Sequence, residues 1–145
     1  TGDGSLQMNI QELSTVHHNQ LPIKLFVINN NGYLLIRSAQ KNYMDGHLVG
    51  ESPNTGLWFP DLQKIADAYD IPFVRIEAAV DIDSKIQKVL KTMGPVICEV
   101  MTSEWQPIAP KTSAEKLPDG KLLAHEYSDM YPFLPKEEYD KQFVD

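Results

Sequence analysis

The sequence predicts an α/β fold, a parallel sheet flanked by helices, on three observations. Apolar residues recur at helical spacing in several stretches. Between them lie short, near-continuous apolar runs of the kind found in strands covered on both faces. The two patterns alternate, which favours parallel pairing through right-handed crossovers. With 145 residues and 42% apolar side chains, the chain can bury one sizeable core.

Leu6, Ile10, Leu13 and Val16 give the first apolar stripe, predicting an amphipathic helix over 6–19. Pro22 closes the next loop, and IKLFVI (23–28) reads as a buried strand. A second helix is expected over 33–43, and the Gly-, Pro-, Asn- and Ser-rich stretch 45–56 reads as loop. Asp61, following Pro60, is placed to cap a helix carrying Leu62, Ile65, Ala66 and Tyr69 on one face. PFVRIE (72–77) is a short strand. Ile82, Ile86, Val89, Leu90 and Met93 then mark a helix ended by Gly94, and PVICEVM (95–101) a third strand. The parallel logic also calls for a strand ahead of Thr1, so that the first strand of the sheet is expected outside the chain.

From Thr102 the character changes. Half of the ten prolines fall between Pro107 and Pro135, and no long apolar period remains. The expected division is therefore an α/β domain over 1–101, itself partial, and an extended C-terminal arm over 102–145. That arm either packs on its own domain or reaches a neighbouring subunit or an active-site mouth.

Composition excludes some classes. Thirteen Lys and Arg stand against 20 Asp and Glu, giving a net charge of −7. There is no basic run to displace the counterions of a nucleic acid. No apolar run approaches the roughly 18 residues of a membrane span, and nothing at the start resembles a signal peptide. The single cysteine, Cys98, forms no internal disulfide, which favours a reducing, cytoplasmic setting. The chain opens on TGDG without an initiator Met, which points to a piece of a longer polypeptide.

That opening carries the chemistry. Gly2 and Gly4 permit a tight turn and close approach of a ligand, and helix N–H groups from Ser5 onward can receive phosphate oxygens. A bare carboxylate at Asp3 would repel a phosphate unless a divalent cation lay between them. Mg²⁺ takes oxygen ligands and commonly bridges a carboxylate to phosphates. The Asn30 side chain and the Gly32 carbonyl, in NNNG after the first strand, are suitable neutral partners. In an α/β sheet both segments lie at the carboxyl ends of the strands, where ligands bind.

Gly2-Asp3-Gly4, followed 27 residues after Asp3 by Asn30, resembles the cofactor motif of the thiamine diphosphate-dependent superfamily of 2-oxo acid decarboxylases and acetolactate synthases. The similarity continues through ELST (12–15), PIKLFVINN (22–30) and PDLQKIADAYDIPFVRI (60–76), and so covers most of 2–101, the pyrophosphate domain of those enzymes. It implies Asp3 and Asn30 as Mg²⁺ ligands through side-chain oxygens, and Gly32 through its carbonyl. It also implies Gly2, Gly4 and Ser5 at the diphosphate. Within the superfamily, NNNGY is like the simple decarboxylases, but the Glu that follows there is replaced by the run Leu34, Leu35, Ile36, Arg37. That apolar run resembles the acetolactate synthases, although a Trp carried by some of them falls on Ala39. The segments IRSAQKNY and 109–139 are similar to acetolactate synthase-like proteins often linked to surface-polysaccharide pathways.

The resemblance implies decarboxylation of a 2-oxo acid, then either carboligation to a second 2-oxo acid or simple protonation. It admits FAD as a second cofactor. The partner it implies is an N-terminal, pyrimidine-binding domain of the same protein on a neighbouring subunit, which supplies the activating Glu, in a homodimer or homotetramer. No catalytic residue is expected within this chain, which alone should be inactive. Two other classes are weighed: a dinucleotide-binding module, opposed by the absence of G-x-G-x-x-G, and a non-catalytic domain that keeps the fold as an interaction surface.

The remaining reactive side chains have blander readings. His17 and His18 suit the end of a helix at the surface, and His47 and His125 lack companions at metal spacing. Cys98 reads as a buried inert thiol, and Trp58 and Trp105 as packing residues, Trp105 with some prospect of facing a substrate or subunit interface. Arg37 is weighed as a ligand for a substrate carboxylate against a solvated or salt-bridged role, the latter favoured.

Overall fold

A computed structural model describes residues 1–142. The chain comprises two compact units, Thr1–Gln106 and Pro107–Asp145. The dividing point falls five residues beyond the 101/102 boundary that composition indicates.

In the first unit, α1 (Asp3–Gln7) and α2 (Glu12–His18) lead into β1 (Lys24–Asn29), followed by α3 (Leu34–Tyr43), a 3₁₀ turn at Pro53–Thr55, and α4 (Leu62–Ala68). Then come β2 (Phe73–Ile76), α5 (Ile82–Lys91) and β3 (Val96–Met101). The strands form one sheet in the order β1-β3-β2, with both pairings parallel, as expected for alternating helices and strands. Beyond β1, Gly2 bridges Ile28 in parallel, and the Ile28 N–H donates to the Thr1 carbonyl at 2.9 Å. The opening residues thus run beside the outer edge of β1, which sets the GDG turn at the strand's carboxyl end.

Strand alternation sorts the core into two layers. Val27 and Ile97 face Leu6, Leu13, Leu62, Ala66 and Ile71 from α1, α2 and the α4 region. Val96, Cys98 and Ile76 face Val89 of α5, with Phe26, Val74 and Ile86 packed around them. Cys98 is wholly buried, and burial pushes its thiol above its ordinary value, matching the inert reading. Asp61 caps α4, its carboxylate accepting from the Lys64 N–H at 3.1 Å, and Gly94 follows α5 with φ +72°, as its place after a helix requires.

One expectation fails. The helix over 6–19 is two helices, because residues 8–11 form a turn in which Glu12, Leu13 and Ser14 donate to carbonyls three residues back. Leu6 and Leu13 still reach the same core. The apolar stripe therefore survives the break, and periodicity alone could not reveal it.

The second unit holds an antiparallel hairpin of β4 (Ala114–Lys116) and β5 (Leu122–Ala124), then α6 (Lys136–Asp140). His125 lies 3.2 Å from Asp129 and stacks on Phe133. Among the described residues, no helix is long and apolar enough to cross a membrane.

Candidate cofactor and metal site

The turn and the Asn cluster meet. Asp3, at the first position of α1, is buried, 4% exposed. Its carboxylate accepts the Gly4 N–H at 2.9 Å through Oδ1 and the Gly32 N–H at 3.0 Å through Oδ2. The second bond joins residues 29 apart in sequence and fixes the NNNG loop against the GDG turn. Burial raises the Asp3 pKa above its ordinary value, and the Gly4 and Gly32 amides only partly offset this. Among the described residues, no cationic side chain shares the carboxylate.

Each asparagine of the cluster has its own task. Asn29 closes the loop: its Oδ1 accepts from the Asn31 N–H at 2.9 Å, and its Nδ2 donates to Glu99 Oε1 at 2.6 Å. Asn31 adopts φ +58°, a left-handed turn that Asn tolerates, and donates from Nδ2 to Glu104 at 2.7 Å. Asn30 differs, because its Oδ1 is buried and accepts no hydrogen bond. A buried carbonyl oxygen without a partner costs roughly 1–3 kcal/mol, so a ligand is its natural complement.

The glycines are required by space. Gly32 has φ +149°, and a Cβ there would lie 2.0 Å from the Glu51 carbonyl oxygen. A Cβ on Gly4 would lie 2.3 Å from the Tyr33 ring, which packs edge-on against Phe59. Gly2 has only Ser5 Oγ nearby, at 3.9 Å, and Ser5 is exposed at the mouth of the turn. An acidic oxygen, an unpartnered amide oxygen and a close-approach glycine loop make an oxygen donor set that suits a hard divalent cation.

Arg37 takes the salt-bridged role. It is 1% exposed and ion-paired through Nε to the equally buried Glu51. Its other nitrogens reach the main-chain carbonyls of Asn30 at 3.4 Å, Asn31 at 3.2 Å and Glu51 at 3.5 Å, and also that of Glu104. Trp105 lies over Arg37 and Lys41, at 5.4 and 4.7 Å from their charged ends, so it does pack, although 44% exposed. Trp58 corrects the packing expectation: it is 80% exposed and lines a cleft of about 680 Å³ at the carboxyl ends of the strands. His17 is half-buried with Nδ1 unpartnered, and His18 and His47 are exposed, all outside this site.

Glu99 and Arg75 escape sequence reasoning. They are register partners on adjacent strands, ion-paired, with Asp61 3.4 Å from Arg75. Opposite charges inside two apolar runs, FVRI and VICEVM, were the available signal.

Residues 1–100 match the family described as thiamine pyrophosphate enzyme, C-terminal TPP binding domain. The chain belongs to that family. Among curated proteins it is 36% identical over 121 residues to the acetolactate synthase large subunit of Cyanidium caldarium, covering 81% of this chain and 20% of that protein. It is 33% identical over 104 residues to the large subunit of Pyropia yezoensis, covering 72% and 17%, and 29% identical over 113 residues to acetolactate synthase 1, chloroplastic, of Zea mays, covering 75% and 18%. The chain thus spans about one fifth of the length of these relatives. A thiamine diphosphate-dependent 4-hydroxybenzoylformate decarboxylase from Rhodococcus jostii superposes with a TM-score of 0.61 over 70% of this chain and 19% of its own, at 24% identity. That likeness shows the fold alone. The family match and the curated relatives make the chain the thiamine diphosphate-binding C-terminal domain of an acetolactate synthase-like protein.

Proposed function

We propose that this domain anchors the diphosphate of thiamine diphosphate through Mg²⁺ in a 2-oxo acid carboligase of acetolactate synthase type. The observation that carries the reading is the buried, unpartnered Asn30 Oδ1 on a loop pinned to the Asp3 carboxylate. Asp3, Asn30 Oδ1 and the Gly32 carbonyl would hold the cation, with Gly2, Gly4 and Ser5 against the diphosphate. A cation here neutralises Asp3 and partners Asn30, two costs that the protein alone leaves uncompensated.

Thiamine diphosphate, when bound, supplies the electron sink for loss of CO₂ from a 2-oxo acid. The task of this chain's residues is to bind and orient it. Groups acting on the aminopyrimidine belong, in this reading, to a pyrimidine-binding domain of a neighbouring subunit in a cytoplasmic homodimer or homotetramer. Carboligation is favoured over simple decarboxylation because the curated relatives are named acetolactate synthases and residues 34–36 are apolar.

The test is to incubate the full-length protein with pyruvate, Mg²⁺ and thiamine diphosphate and identify products by NMR. Acetolactate is expected. Acetaldehyde alone would transfer the protein to the simple decarboxylases. Failure of thiamine diphosphate to bind in the presence of Mg²⁺ would overturn the reading altogether.

A further inference from the structure

Arg37 lies directly behind the loop that presents Asn30 and Gly32, and its five donors are spent on main-chain carbonyls and one carboxylate. Nη1 takes the carbonyls of Asn30 and Glu104, Nη2 those of Asn31 and Glu51, and Nε the Glu51 side chain. Glu51 is itself held, its Oε1 accepting from Ser52 Oγ at 2.6 Å and Thr55 Oγ1 at 3.1 Å. Its main-chain carbonyl accepts the Tyr33 N–H at 2.8 Å. The same carbonyl oxygen occupies the space where a Cβ on Gly32 would fall. The loop is therefore clamped on one side by Asp3 and on the other by Arg37 and Glu51.

A buried ion pair is weak evidence for stability, because its desolvation cost offsets much of its Coulombic gain. What this pair does provide is direction. A guanidinium presents its donors in a rigid planar fork that a lysine ammonium does not reproduce.

We propose that Arg37 is a positioning residue for the cation site. By engaging the carbonyls of Asn30 and Asn31 it sets the peptide planes so that Asn30 Oδ1 and the Gly32 carbonyl remain directed to the metal. The inference rests on the cation reading given above. Mg²⁺ demands near-octahedral geometry at short distances, whereas Ca²⁺ tolerates irregular shells. A loosened loop therefore sacrifices Mg²⁺ affinity first, and groups that orient metal ligands typically contribute 10–100-fold in affinity.

The experiment titrates Mg²⁺ and then Ca²⁺ into full-length protein with saturating thiamine diphosphate, by calorimetry, for wild type, Arg37→Lys, Asp3→Ala and Asn30→Ala. Arg37→Lys is expected to weaken Mg²⁺ binding about 10–100-fold and Ca²⁺ binding less, shifting the preference towards Ca²⁺. A purely structural role would leave that preference unchanged. Mg²⁺ affinity and preference within twofold of wild type in Arg37→Lys, with Asp3→Ala and Asn30→Ala both impaired, would overturn the positioning role alone. Unimpaired Mg²⁺ binding in Asp3→Ala and Asn30→Ala would overturn the cation site, and this inference with it. Should Arg37→Lys fail to fold, the double variant Arg37→Met/Glu51→Leu removes both charges at similar volume. Retained Mg²⁺ preference there overturns the proposal, and its loss upholds it.

Discussion

Two buried carboxylates stand at the carboxyl ends of the same sheet, and they are solved differently. Glu99, on the central strand, is saturated by the Arg75 guanidinium and the Asn29 amide. Asp3, on the turn beside β1, has two backbone N–H donors and, among the described residues, no cationic side chain. Both are almost inaccessible, at 2% and 4% exposure, so burial does not distinguish them. Pairing does. A carboxylate whose charge is answered within the protein holds strands together; one answered only by backbone amides, on a turn bonded to the loop that carries an unpartnered amide oxygen, is the proposed cation ligand. The Arg37–Glu51 pair is a third arrangement, answered within itself yet placed against the open site.

Variants that exchange these conditions should break the contrast. The largest effect is expected from Arg75→Met, which leaves Glu99 buried and unanswered. Breaking a buried pair costs about 3–5 kcal/mol, and the partial exposure of Arg75 places the expected loss near the lower end, about 3 kcal/mol. Urea unfolding checks it. A loss under about 1 kcal/mol would show that Glu99 is not held by its pair.

At Asp3 the expectation reverses. Asp3→Asn keeps the shape and removes a buried charge, but its amide nitrogen then faces one of the two N–H donors of Gly4 and Gly32. The two effects offset, and stability without metal should fall by no more than about 1 kcal/mol. Mg²⁺-dependent binding of thiamine diphosphate should instead fall about 100-fold. Calorimetry and unfolding on the same preparations check both, and a variant that loses stability while keeping cofactor affinity would make Asp3 a structural carboxylate like Glu99.

Acid titration separates the two kinds again. Asp3 has a raised folded pKa, so the folded state retains the proton more tightly than the unfolded chain. Its contribution to stability is greatest below the ordinary value of 3.8 and is lost as pH rises from there through the raised value. Asp61 is depressed, first by its bond from the Lys64 amide, and contributes with the opposite sign: it is lost as pH falls below 3.8. Subtracting the stability of Asp3→Asn from that of wild type should therefore give a difference that falls with rising pH above 3.8 without Mg²⁺ and flattens or reverses with it. A difference that rises with pH in the absence of metal would refute the burial argument.

Much of this was legible in the sequence. The strands and later helices follow from apolar runs and period, and the meeting of the GDG turn with the NNNG loop from a spacing whose two ends the structure joins by a hydrogen bond. What stayed hidden depends on contacts between distant elements. The split of α1 from α2 leaves the apolar stripe intact, so no period betrays it. That Asn29 serves Glu99 while Asn30 is left open cannot be read from NNN, because the assignment is decided by β3. Arg37 gave no sign of burial, since its partner Glu51 lies in a Gly- and Ser-rich loop that reads as solvent-exposed.

The smallest effect tests whether the Glu99–Arg75 pair is self-sufficient. Asp61 caps α4 and also approaches Arg75 at 3.4 Å, but that pair is 45% exposed on the carboxylate side. Exposed pairs contribute about 0–1 kcal/mol, whereas a lost N-cap costs about 1 kcal/mol. Asp61→Ala should therefore destabilise by about 1 kcal/mol, and Asp61→Asn, which keeps the capping oxygen and discards the charge, by no more than a few tenths. If the Asn variant falls as far as the Ala variant, the charge and not the cap is what matters at this position. Arg75 would then need both carboxylates, and the saturation that sets Glu99 apart from Asp3 would extend to a third residue.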